Sequence, residues 1–353
     1  MADVRRKVLE HNQETTAATM KDVAEKAGVS TATVSRALMN PEKVSAATRS
    51  KVEQAVVAVG YAPHSMTRSA RRSESRTILV IVPDICDPFF SEMIRGIEVV
   101  AAEHGYLVLI GDCAHQNQQE KSFLNLMLTR QIDGMVLLGS RLPFEAGLDE
   151  QRNLPPMVMA NEFAPELELP TVHIDNLTAA FEAVSHLQKL GHRRIACIAG
   201  PEDMPLCQYR LQGYIQALRR HGISVDPQYI VRGDFTFDAG TQALKTLMSL
   251  PKPPDALFCH SDIMALGAMS QAKNMGLKIP RDLSLIGFDD IELSRYSDPQ
   301  LTTVAQPRFN IGREAMLLLL EQLQGRIVHG GSRLLDFELK IRGSTAPSLH
   351  DKN

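Results

Sequence analysis

Residues 30–36 read Ser-Thr-Ala-Thr-Val-Ser-Arg, a run of small hydroxyl side chains ending in a guanidinium. Small polar residues let a backbone approach base edges closely, and an arginine reaches guanine or phosphate. Lys21, Ser30, Thr31, Ala32, Thr33, Ser35 and Arg36 are therefore the candidate DNA contacts of this region. A second set suits a small polar ligand. Phe89, Phe90 and Phe235 offer rings that can stack on a flat heterocycle. Asp289 can accept from two neighbouring hydroxyls, and Arg210 can brace that carboxylate and donate to the ligand. Asn161, Ser261 and Asp262 complete the candidate effector set. They follow β-type runs, and ligands of open α/β sheets sit beyond the carboxyl ends of strands.

Catalytic sets are missing. The chain has no G-x-x-x-x-G-K loop, no G-x-G-x-x-G, no H-E-x-x-H and no nucleophile elbow. His173 and Asp175 alternate about Ile174 and read as a strand end, while His115, His186 and His192 read as surface residues. Cysteines 86, 113, 197, 207 and 259 are odd in number and scattered, which fits reduced thiols, and no pair has zinc-ligand spacing. No metal or cofactor is expected, only a small-molecule effector.

The elements that must hold these residues follow from spacing. Thr19 and Asp22 form a capping-box pattern, and Met20, Val23, Ala24 and Ala27 make one apolar stripe. Gly28 suits a left-handed helix end, and Ser30 suits the cap of a second helix with Val34, Ala37 and Leu38 inside. Ser45 opens a third, which buries Val52, Ala55, Val56 and Val59. Two helices joined by Gly28-Val29-Ser30 have the short turn of a helix-turn-helix.

Beyond residue 77, short β-branched runs alternate with amphipathic stretches, the pattern of parallel sheets flanked by helices. Strands are expected at Ile78–Val82, Leu107–Gly111, Gly134–Leu138, Val158–Ala160, Ile195–Ala199, Ala256–Cys259 and Leu285–Phe288. Leu301–Gln306 and Leu335–Ile341 are left over, so the chain should cross between two lobes more than once. The expected organisation is a disordered arm (1–18), an all-α head (19–61), a hinge (62–77), an α/β two-lobed sensor (78–345) and a tail (346–353). The lobes are expected as 78–175 plus 302–330, and 176–301 plus 331–345.

Charge supports this division. Residues 1–76 hold 13 Lys/Arg against 8 Asp/Glu, whereas the whole chain has a net charge of −3. A basic head on an acidic body suits a polyanion at one end. No apolar run approaches the roughly 20 residues a bilayer span needs, and the opening MADVRRKVLE has no apolar signal core. A cytoplasmic, nucleoid-associated protein is therefore expected.

The stretches DVAEKAGVSTATVSRAL and VSAATRSKVEQAVVAVGYAP resemble the head of the lactose-repressor family. DPFFSEMIRGIE, VHIDNLTAA, GHRRIACIAGP, HSDIMALGA and LSLIGFDD extend the resemblance through a periplasmic-binding-protein-like body. It implies a repressor that binds double-stranded operator DNA as a homodimer and answers to an effector. In the family the positions matching Arg210 and Asp289 bind ligand, and those matching Phe90 and Phe235 do so in purine-responsive relatives. Those relatives carry an arginine where this chain has Met204, which argues against a purine. Other blocks, such as LVLIGDCAHQNQQEKSF, resemble a nucleoside-responsive branch. That likeness implies cytidine as effector and the cyclic-AMP receptor protein as a neighbour on DNA.

The resemblance also implies a hinge that folds on the operator and wedges a leucine into the minor groove. The matching residue here is Ala70, flanked by Arg68 and Arg71, so weaker insertion is expected, with the arginines on phosphate or in the groove. The ending GSTAPSLHDKN has no heptads, so a dimer is expected. A solute-binding protein and an enzyme with a DNA-binding head are the rival classes. The head disfavours the first, and the missing catalytic set disfavours the second.

Overall fold

The computed structural model describes residues 19–39, 43–59, 75–113, 123, 126, 129, 131–139, 155–164, 167–326 and 330–349. The expected arm, the hinge residues Arg68, Ala70 and Arg71, and His115 lie outside these described residues. The chain divides into two compact units, 1–73 and 74–353.

The first unit contains α1 (Met20–Ala27), α2 (Thr31–Met39) and α3 (Ala46–Val59). The Thr19 N–H donates to the Asp22 carboxylate at 2.7 Å, and the Asp22 N–H donates back to the Thr19 hydroxyl at 3.4 Å. Gly28 ends α1 with φ 64°, a conformation that disfavours a β-carbon. Ser30 Oγ accepts from the Thr33 N–H at 3.1 Å, and Ser45 Oγ accepts from the Thr48 N–H at 3.3 Å. Val23, Val34 and Val52 are fully buried with Ala24, Ala37 and Ala55 beside them. Each buried valine contributes about 2 kcal/mol of burial, and the alanines let the helices approach closely.

The second unit has two lobes. The first begins with β1 (Thr77–Val82), α4 (Phe89–Glu103), β2 (Leu107–Asp112), β3 (Gly134–Leu137), β4 (Met157–Ala160) and β5 (Pro170–Ile174). The second runs through α5 (Asn176–Lys189), β6 (Ile195–Ala199), α6 (Pro205–Arg220), β7 (Ile230–Arg232), α7 (Phe237–Met248), β8 (Ala256–Cys259), α8 (Asp262–Asn274), β9 (Ser284–Asp289), α9 (Leu293–Tyr296) and β10 (Thr302–Ala305). The chain then forms α10 (Arg308–Leu323), which lies against α4, followed by β11 (Gly331–Leu335) and β12 (Glu338–Lys340). The first sheet has the order β11-β5-β4-β3-β1-β2 and the second β12-β10-β9-β8-β6-β7. Their ladders are parallel except that of β12 with β10. The central strands are continuous apolar runs because helices cover both faces.

The lobe boundaries differ from expectation. Residues 302–305 pair with β9 in the second lobe (Thr302 opposite Ile286), not with the first. Residues 331–335 pair with β5 in the first lobe (Gly331 opposite Pro170), not with the second. A late strand joins whichever sheet offers a free edge, a long-range matter that residue pattern does not carry. The chain thus crosses at 174–176, 305–308 and 335–338. The expected hinge also ends earlier, since the Ser75 and Arg76 N–H groups donate to the Asp133 carboxylate at 2.7 and 2.8 Å. His192, expected at the surface, is buried, with its ring bonded to the Ala346 carbonyl at 3.0 Å. No described helix is long and apolar enough to cross a membrane.

Candidate functional site

Two places carry the candidate residues. In the first unit α2 has two faces. Val34 and Ala37 are buried, while Thr31, Ala32 and Arg36 are exposed with Lys21 and Ser30. Thr33 and Ser35 are half-buried. The Ser30 and Thr33 hydroxyls bond each other at 2.9 Å, so both also hold the helix start. The open N–H groups and positive dipole end at that start favour an anion such as phosphate.

The second place is a cavity of about 720 Å³ in the two-lobed unit. Its first-lobe wall includes Pro83, Asp84, Asp87, Phe89, Phe90, Leu138 and Asn161. Its second-lobe wall includes Met204, Leu206, Arg210, Asp234, Phe235, Thr236, Phe237, Ser261, Ile263 and Asp289. Loops after β1, β4, β6, β7, β8 and β9 supply most of these residues, so the strand ends converge as the open-sheet rule requires.

Arg210 is fixed on every side. Its Nε donates to Asn176 Oδ1 at 2.8 Å and its Nη1 to the His260 carbonyl at 2.6 Å. The guanidinium lies 3.7 Å from the centre of the Phe288 ring. Asp289 sits 3.9 Å from Arg210 and accepts from Gln306 Nε2 at 2.8 Å. Burial pushes the Asp289 carboxyl up, and Arg210 and Gln306 pull it back down. Burial likewise raises Asp87, whose carboxylate accepts from the Phe89 N–H at 2.8 Å. Phe89 and Phe90 meet edge to face with centroids 5.0 Å apart.

Asn161, Phe235 and Asp289 have φ values of 72°, 68° and 111°, rare for residues with a β-carbon. Such strain gathers where structure over-determines the backbone, commonly at ligand sites. Gly200 has a steric reason: a β-carbon there would meet the Phe235 ring at 2.6 Å.

Of the candidate effector residues, the cavity brings together Phe89, Phe90, Asn161, Arg210, Phe235, Ser261 and Asp289. Asp262 is not among its lining residues. It is fully buried, accepting from the Thr303 hydroxyl at 2.6 Å and the Ile291 N–H at 2.9 Å. As the residue after the Ser261 cap it turns away from the cleft and braces the β9–α9 turn. Sequence reasoning missed Asp234, Thr236 and Phe237. Their signal was local: Asp234 accepts from the Thr236 N–H and hydroxyl, and Thr236 caps α7. The strand before them, β7, is only three residues long and half-exposed. Among the described residues no cluster of three or more His, Cys, Asp or Glu could hold a metal.

The first unit thus carries a helix with an exposed polar face, and the second a cavity walled by both lobes. Residues 19–64 match bacterial regulatory proteins of the lacI family, and residues 184–345 match the periplasmic binding protein-like domain. The chain is 75% identical to the HTH-type transcriptional repressor CytR of Escherichia coli K12, across 94% of this chain and 97% of that protein. It is 34% identical to the HTH-type transcriptional repressor PurR of Aliivibrio salmonicida, across 94% and 99%. The lac repressor dimer, solved with operator and the anti-inducer ONPF, superposes with a TM-score of 0.77 at 28% identity, covering 94% of this chain and 100% of that one. The chain belongs to the lacI family of bacterial regulatory proteins, as a helix-turn-helix transcriptional repressor and not an enzyme.

Proposed function

We propose that the chain represses genes of nucleoside uptake and catabolism, and that cytidine relieves the repression. Two copies pair through their sensor units and present two heads to a near-palindromic operator in the cytoplasm. Lys21, Ser30, Thr31, Ala32, Thr33, Ser35 and Arg36 make the head contacts. Arg68 and Arg71 add phosphate contacts around Ala70. The short Ala70 side chain wedges poorly, so the repressor gains from a neighbour such as the cyclic-AMP receptor protein. The 75% identity to the HTH-type transcriptional repressor CytR supports the repressor part of this reading.

The observation that carries the effector reading is the buried Asp289–Arg210 pair in one cavity with Phe89, Phe90 and Phe235. Asp289 accepts from ribose hydroxyls, Arg210 holds it and donates, and a ring stacks on the base. Asn161 and Ser261 complete the polar contacts. Cytidine acts only through a difference in affinity between operator-competent and released states. A thermal-shift series with cytidine, uridine, adenosine, hypoxanthine and simple sugars tests this. Cytidine should raise the unfolding midpoint most, and a response to sugars alone would overturn the nucleoside reading.

A further inference from the structure

Glu162 follows Asn161 just past β4 and is fully buried. Its Oε1 accepts from the Phe163 N–H and from the Leu206 N–H, both at 3.1 Å. Leu206 lies in the first turn of α6, in the opposite lobe. A first-lobe carboxyl therefore satisfies one of the N–H groups that a helix start leaves open. Oε2 has no hydrogen-bond partner among the described residues. An ionised carboxylate with one dry, unpaired oxygen is costly. The neutral acid, whose carbonyl oxygen takes both N–H groups, suits this geometry better. Arg210 lies one helical turn after Leu206, so pinning Leu206 fixes the turn that aims the guanidinium at Asp289.

We propose that Glu162 is a positioning residue of the effector cleft: as an uncharged acid of the first lobe it clasps the start of α6 and so sets where Arg210 stands. The proposal rests on the reading of this cleft as the effector site. The charged and titratable groups around Glu162 are Arg210 and Cys207 from α6, with Asp289 of β9 coupled to both. On the first-lobe side the adjoining Phe163 ring stacks on His173 of β5 at 5.0 Å.

Burial raises the Glu162 carboxyl to about 7, against the two N–H groups and Arg210, which lower it. Opening the clasp to water returns it to the ordinary carboxylate range, about 4.3. The clasped form therefore holds a proton that the open form releases. Clasping is fully favoured below the ordinary range, weakens as pH rises toward 7, and levels off above it.

The test uses the full chain, with Glu162→Gln and Glu162→Ala, across pH 5.5 to 8. Cytidine affinity by calorimetry and the unfolding midpoint without ligand are both read. For the wild type the cytidine Kd should rise about tenfold from pH 5.5 to 7.5. The midpoint should fall over the same window. Gln keeps the accepting oxygen and cannot ionise, so Glu162→Gln should lose this component of both profiles and bind as the wild type does at low pH. Glu162→Ala should bind more weakly throughout. A Glu162→Gln variant that follows the wild-type profiles, or that binds and melts as Glu162→Ala does, overturns the proposal. If the wild type itself does not bind cytidine, the effector reading fails, and the ligand-free midpoints still decide the clasp.

Discussion

The proposed reading helix and the proposed effector cleft put their information at different distances along the chain. In the head, Thr19, Gly28, Ser30 and Arg36 lie within eighteen residues, and the first three act on near neighbours while Arg36 is exposed. In the cleft, Phe89, Asn161, Arg210 and Asp289 are drawn from both lobes and meet only when two sheets fold and face each other. Removing a cleft residue therefore damages an assembled network, whereas removing a reading residue from the exposed face removes a contact. The two regions should fail separately under mutation.

Arg210→Ala should have the largest effect. It strips a buried cation from Asn176, the His260 carbonyl and the Phe288 ring, and leaves Asp289 facing the gap. Breaking a buried charge pair costs about 3–5 kcal/mol. Calorimetric unfolding should show the sensor transition lowered by several degrees and cytidine binding lost, while the far-ultraviolet signal of the head persists. If the variant melts as the wild type does and still binds cytidine, the network carries neither stability nor ligand.

The cleft was legible in part because strand ends are legible. Asp289 and Ser261 follow apolar runs long enough to read as buried strands, β9 and β8. Asp262 reads the same way in sequence, yet one residue along a helix turns a side chain by about 100°, and that sends it to Thr303 instead of the cavity. Glu162 went unread for a different reason. A carboxylate in Ala-Asn-Glu-Phe looks like a solvated loop residue, and only the approach of α6 shows that it is buried and bonded across the lobes. The sheet membership of β11 was hidden because exposed edge residues such as Arg333 carry no burial pattern, and that of β10 because a buried run shows that a strand is covered but not which sheet it joins.

Arg36→Ala sharpens the contrast from the other side. The side chain is exposed on the face of α2 opposite Val34 and Ala37, so its loss should leave the unfolding midpoint nearly unchanged. A base or phosphate contact of this kind contributes about 1–3 kcal/mol, so operator affinity in a gel shift at fixed salt should fall roughly 10- to 100-fold. Cytidine affinity should stay at the wild-type value. Unchanged operator affinity would remove α2 from the interface.

Ser30→Ala should give the smallest effect and asks whether the head separates contact from fold as cleanly as Arg36 suggests. Ser30 is exposed at the start of the reading helix, but its oxygen also accepts from the Thr33 N–H and pairs with the Thr33 hydroxyl. An N-cap of this type contributes about 1 kcal/mol. The head should therefore melt a few degrees lower, with a modest loss of operator affinity that shrinks on cooling as the cap is needed less. A loss of operator affinity as large as that of Arg36→Ala, with an unchanged melt, would make Ser30 a base or phosphate contact first and a cap second. An unchanged melt and unchanged affinity would show that the Thr33 side chain alone can hold the turn.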